Sequence, residues 1–187
     1  TLMDGQTLGY DFLVLCTGPE LAFDEIPGAG PDAGGSVSVC TLSHAEHCRD
    51  SVHALIEAPG SVIVGAMPGA SCFGPAYEYA FILDKHLRDK KVKKSVPMTF
   101  VTSEPYIGHL GLNGVGDSKG MLESELRQRD IQWICNAKTV GIVDGKMEID
   151  ELDDEGNVKK HHSLPYKHAM MLPAFRGIAP LRGIEGL

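Results

Sequence analysis

Apolar residues along this chain fall into short unbroken runs separated by glycine, proline and charge. DFLVLCT (11–17), SVIVGA (61–66), PMTFVTS (97–103), IQWICN (131–136) and KHAMMLPA (167–174) are such runs. Their length and bounding turn residues predict buried strands. Between them the spacing changes to a helical one. Ala45, Cys48, Val52, Leu55 and Ile56 line one face of a predicted helix over about 44–57, with Ser43 as candidate cap. A second helix is expected over about 75–91, its exposed face carrying Asp84, Lys85, Arg88 and Asp89. A third is expected over about 117–130. Residues 36–41 read as a short extended piece. Residues 139–166 alternate and turn at Asp144-Gly145 and Glu155-Gly156, the mark of β-hairpins. Residues 18–36 are rich in glycine and proline and read as linker.

This order predicts an α/β fold of Rossmann-like, FAD/NAD(P)-binding type: a parallel sheet with a β-meander crossover. Strands 61–66 and 97–103 should be neighbours, with helices on both sides of the sheet. Both ends of the chain read as cut from something larger. TLMDGQTLGYDFLVLCTG opens inside a strand and turns at Asp4-Gly5, and LPAFRGIAPLRGIEGL stops without closing an element.

Composition narrows the function classes. The 187 residues are 43% hydrophobic and 22% charged, which is globular, and the net charge of −8 argues against nucleic acid as a partner. No apolar run reaches the length of a bilayer span. Five widely spaced cysteines, Cys16, Cys40, Cys48, Cys72 and Cys135, do not form a secreted disulfide framework.

In open α/β sheets ligands lie beyond the carboxyl ends of the strands. Two loops leave such ends, GAMPGASCFGP and EPYIGHLG. The first begins like a phosphate-binding turn, but Gly65 is followed by Ala66, Met67 and then Pro68, which has no N–H to donate. Cys72 sits in the middle of this turn, just ahead of the helix expected near Pro75. The positive end of that helix would favour its thiolate; the alternative is an inert buried cysteine. Glu104, at the next strand end, could imitate the acidic residue that holds a ribose. His109 is either a surface loop residue or a proton carrier near the site. Cys40, His44, His47 and Cys48 invite a metal reading, but their spacing is no known zinc pattern and a soluble helix explains it, so no metal is expected. Cys16 and Cys135 are most simply core, and His161 and His162 solvated.

The segments LVLCTGPELAF, VCTLSHAEH, GAMPGASCFGPAYEYAF, FVTSEPYIGHLGLNGVGDSKG and MMLPAFRG resemble sulfide:quinone oxidoreductases, which stand with flavocytochrome c sulfide dehydrogenase among the two-dinucleotide-domain flavoproteins. The resemblance runs from about residue 10 to the end. It implies that the full-length protein takes electrons from sulfide, not from a nicotinamide, and passes them through FAD to a quinone. Cys72 matches the redox cysteine in GASCFGP, and Cys40 an additional cysteine. His44, His109 and Glu78 match residues of the sulfide site or its proton handling. Thr17 and Gly18, with Cys72 and Gly74, match positions around the flavin. The partner cysteine, the first glycine motif and the C-terminal segments that meet membrane and quinone are expected outside this sequence. On this reading residues 1–36 end the FAD domain and its linker, 37–174 form the second dinucleotide-type domain, and 175–187 begin the return. FAD and NAD are both expected absent from this chain alone. The full-length protein is expected at a membrane surface and could be a homo-oligomer. An NAD(P)H-dependent reductase of the pyridine nucleotide-disulfide type, or a piece without activity of its own, are the alternatives.

Overall fold

The computed structural model describes residues 3–184. They divide into two compact units: one of residues 3–20 and 176–184, the other of residues 21–175.

The larger unit is built on a four-stranded parallel sheet. Its strands are β2 (Val62–Ala66), β3 (Met98–Thr102), β4 (Ile131–Ile134) and β8 (His168–Leu172), in the order β4-β3-β2-β8. β2 and β3 are neighbours as expected, paired from Val62↔Met98 to Ala66↔Thr102. Beyond β8, Val37 makes one parallel bridge to Met170, so residues 38–41 leave at the carboxyl edge of the sheet.

The strand side chains alternate between two cores. Val62, Val64, Met98, Phe100, Met170 and Leu172 face the first. It is covered by α1 (Leu42–Glu57), α2 (Gly74–Asp89) and α3 (Ser118–Gln128). Leu55, Leu87 and Leu126 are fully buried there, each worth about 2 kcal/mol against exposure. Ile63, Met67, Val101, Ala169 and Met171 face the second core. It is covered by the antiparallel meander of β5 (Ala137–Val143), β6 (Lys146–Leu152) and β7 (Val158–Pro165), through Ile142, Met147 and Ile149. Helices on both faces were expected, and here the structure differs. All three helices lie on one face. The crossover from β4 to β8 supplies the cover of the other, and it is made of strand.

Two further expectations shift. Thr41, not Ser43, caps α1: its hydroxyl accepts the backbone N–H of His44 at 3.2 Å. Residues 21–36 are only partly a linker, because Ala22, Ile26 and Ala29 are buried and Pro27 O accepts the Ile142 N–H.

A separate two-stranded sheet pairs β1 (Pro19–Leu21) with β9 (Phe175–Gly177). Glu20 accepts the Ala179 N–H at 2.7 Å and ion-pairs with Arg176 and Arg182; that backbone bond and the two arginines hold its carboxyl below the usual carboxylate range. The expected buried strand over 11–17 is not formed. Phe12 is 91% exposed and Val14 79%, and Cys16 is exposed rather than core. An apolar run becomes a strand only with a ladder partner, and among the described residues none pairs with 11–17. The expected N-terminal hairpin reduces to a turn at Asp4-Gly5, with Gly5 at φ 86; Thr1 and Leu2 lie outside the described residues.

Candidate functional site

The carboxyl edge of the parallel sheet collects the residues singled out above. The turn after β2 is shaped by close packing. A Cβ on Gly65 would lie 1.7 Å from the Val101 carbonyl oxygen, so this glycine lets β2 and β3 approach and does not serve a phosphate. Ala66 and Met67 are buried, Pro68 follows, and the loop then brings Cys72 to the surface as a free, exposed thiol. Phe73, the residue ahead of α2, is buried behind it. Gly74 opens α2 with open space where a side chain would project.

Cys40 lies where the chain leaves Val39 for α1. It is half-buried, and its N–H reaches Ser38 Oγ at 3.4 Å. Burial pushes the Cys40 thiol up, and Cys72 is close enough that a charge on it pushes further. Ser38 is fully buried, and its hydroxyl also lies 2.8 Å from His44 Nδ1. The Thr41 cap fixes His44 in the first turn of α1, and its ring meets Phe23 edge-on at 5.9 Å. Ser38 thus joins Cys40 to His44. It is an unremarked serine in SVSVCT, and only the i+6 return of His44 gives it a role.

His109 occupies the loop after β3. The Gly111 N–H donates to its Nδ1 at 3.1 Å, so Nε2 carries the proton toward Asn113 Oδ1 at 3.0 Å. This loop and the Cys72 loop touch. Phe73 lies against Gly111, where a Cβ would stand 3.5 Å from the ring, and Ser103 Oγ donates to Met67 O at 3.4 Å. Glu78 is exposed on α2. Thr17 and Gly18 belong to the smaller unit and are exposed, with Gly18 at φ 72.

The ribose reading of Glu104 is overturned. Its side chain is buried and accepts from Tyr77, Thr102 and the Leu110 N–H at 2.7–2.8 Å. No oxygen faces outward for a sugar. The metal reading has no geometry either: Cys48 is buried against Tyr79 OH at 3.0 Å, away from the Ser38–His44 contact. Among the described residues no three His, Cys, Asp or Glu converge on one point. Cys135 follows β4 half-buried; burial first, and the Glu104 charge second, push its thiol up to about 12. His161 and His162 are not simply solvated. His161 lies 2.9 Å from both Asp150 and Glu148, and these carboxylates raise its pKa; His162 lies 2.8 Å from Glu151.

No protein-family model matches the chain. The sulfide-quinone reductase of Aquifex aeolicus (strain VF5) is 41% identical over 177 residues, 95% of this chain. The crystal structure of the sulfide:quinone oxidoreductase from that bacterium superposes with a TM-score of 0.81 at 40% identity, over 94% of this chain. The chain is a homologue of sulfide-quinone reductase. It spans 39% of that relative's length. The mitochondrial sulfide:quinone oxidoreductase of Dictyostelium discoideum is 29% identical over 101 residues, 52% of this chain and 22% of the relative. The NDH2 structure from Plasmodium falciparum in complex with NADH, at 13% identity and TM-score 0.66 over 91% of this chain and 36% of its own, shares the fold alone. Among the described residues no helix is long and apolar enough to cross a membrane.

Proposed function

We propose that the full-length protein oxidises sulfide at Cys72 and passes the electrons through FAD to a quinone. The observation that carries this reading is the exposed, free thiol of Cys72 in a turn whose nucleotide-binding backbone is gone, with Gly65 used for strand packing and Pro68 lacking an N–H. On this reading HS− attacks a sulfur–sulfur bond at Cys72. One sulfur keeps the incoming atom as a persulfide and the other leaves as thiolate; closing that pair into a bridge one sulfur longer releases one proton and two electrons, which FAD, when bound, would take up, and only then can the next HS− attack. The proton of the incoming sulfide needs an acceptor. His44 suits that role, since Ser38 engages Nδ1 and leaves Nε2 available. Glu78 and His109 are the further candidates.

FAD, when bound, supplies a two-electron acceptor that discharges to quinone. The residues of this chain proposed to meet it are Thr17 and Gly18, which are exposed with open space around Gly18, and Cys72 and Gly74, which are exposed at the start of α2. Residues 37–174 serve as the second dinucleotide-type domain, flanked by 1–36 and 175–187 from the FAD domain. On this reading the full-length protein works at a membrane surface.

Cys72→Ser in the full-length protein should abolish sulfide-dependent quinone reduction while FAD stays bound. Cys135→Ser should keep turnover within about twofold, since its thiol is held protonated. Wild-type turnover by Cys72→Ser would end this reading. The alternative, an NAD(P)H-dependent reductase, draws on the shared fold with NADH-binding NDH2. Pro68 and the occupied Glu104 carboxylate oppose it. Bleaching of the flavin by NADH would favour it.

A further inference from the structure

Glu104 ends the strand from which dinucleotide-binding domains present a carboxylate to a ribose. Here the group is 1% exposed and turned inward. Oε2 accepts from Tyr77 on α2 and from Thr102 at the end of β3, both at 2.8 Å. Oε1 accepts the Leu110 N–H at 2.7 Å. The Tyr77 hydroxyl in turn accepts the Gly108 N–H at 3.0 Å.

These four bonds grip the residues on either side of His109. Both sit in left-handed backbone: Gly108 at φ 83 and Leu110 at φ 57. For leucine that conformation costs about 1 kcal/mol or more and needs a fixed contact to hold it. The bond from Leu110 to Glu104 is that contact. With the backbone fixed, Gly111 N–H reaches His109 Nδ1 and sets the Nε2–H tautomer toward Asn113. The same loop rests on Phe73, the residue after Cys72.

We propose that Glu104, acting with Tyr77, is a positioning residue for His109: a carboxylate at the ribose position has become the internal staple of the loop that carries this histidine beside the cysteine turn. The consequence for turnover rests on the sulfide reading above; the staple itself does not.

The test uses the full-length flavoprotein with Glu104→Gln, which places an NH2 against two hydroxyls, and with Tyr77→Phe, which leaves the Gly108 N–H without its acceptor. Each should slow sulfide-dependent flavin reduction about tenfold at unchanged flavin content. Combined with His109→Ala, neither should slow it beyond His109→Ala alone. Multiplying losses, or an unchanged rate in both variants, would overturn the proposal. Independently of sulfide, 15N-histidine spectra should show the Nε2–H tautomer at His109 in the wild type and a tautomer mixture in both variants. An identical His109 signal in all three proteins would overturn it too. If the wild type reduces no flavin with sulfide, the functional reading fails, and the tautomer spectra still decide the role of Glu104.

Discussion

His168 is 1% exposed at the start of β8, with Nδ1 2.8 Å from Ser51 Oγ and Nε2 2.8 Å from Tyr79 OH. Tyr79 also meets Cys48, so one polar chain runs through α1, α2 and β8. Every member is satisfied when the imidazole is neutral. Burial lowers its pKa to about 4, from an ordinary 6.5. The unfolded chain therefore binds the proton first. As pH falls from about 6.5 to about 4, stability should drop by about 3 kcal/mol on this account alone. His168→Gln should lose that part of the slope; urea midpoints at graded pH, compared between the two proteins, measure it. A slope equal in both would show that His168 does not titrate in this window. This network was not legible in the sequence, because Ser51, Tyr79 and His168 share no local pattern. Cys72 and His109 stood out by residue type and by the loops they occupy, whereas Cys40 and His44 acquired a site role only through the resemblance to sulfide:quinone oxidoreductases. Ser38 and the inward turn of Glu104 did not stand out, since each acquires its meaning only from a residue brought in by the fold.

At the scale of the elements, the C-terminus of α2 is tied by Asp84. Its side chain is 3% exposed and lies 2.7 Å from Arg88, 3.7 Å from Lys93 and 3.9 Å from Arg129, the residue that closes α3. Burial lowers the Lys93 pKa, and Asp84 opposes that shift. Asp84→Asn should destabilise the domain by about 2 kcal/mol, because it leaves partly buried cations short of their counter-ion. Urea unfolding measures this, and a loss below about 0.5 kcal/mol would assign the packing of α2 to its apolar face alone. Asp84, Lys85, Arg88 and Asp89 read together as one exposed helix face; the i,i+4 partner Arg88 was visible in that reading, but burial of Asp84 was not, because Lys93 and Arg129 reach it from two other segments. The strands β2, β3 and β8 were legible because each is buried on nearly every residue and so mostly apolar, and the edge strand β4 because Ile131, Trp133 and Ile134 surround its exposed Gln132. The meander was legible as hairpins, with Asp144 at φ 51 and Gly145 at φ 71 in its first turn. That it would replace helices on one face was not, since alternation reports a buried side and never names the neighbour.

For the whole chain, the main difference from the sequence reading concerns residues 10–17. Their composition is that of a core strand, yet Tyr10, Phe12, Leu13 and Val14 are exposed. In dilute solution the amides of 11–17 should exchange about a thousandfold or more faster than those of Val62–Ala66, which are locked in the sheet. Comparable protection in a monomer would mean that the run has found a partner. The sheet order carries a consequence for how the domain comes into being. Val62 pairs with Met98 on one side and with His168 on the other. The middle strand of the sheet thus waits for a neighbour encoded after the entire meander. Contacts so distant along the chain are entropically slow to close. During synthesis the helices and the β2–β3 pair can form early, but one edge of β2 stays open until residues 168–172 have left the ribosome. Assembly of this domain is therefore limited by its last strand, and the nascent chain is most exposed to mispairing in the interval before that strand arrives.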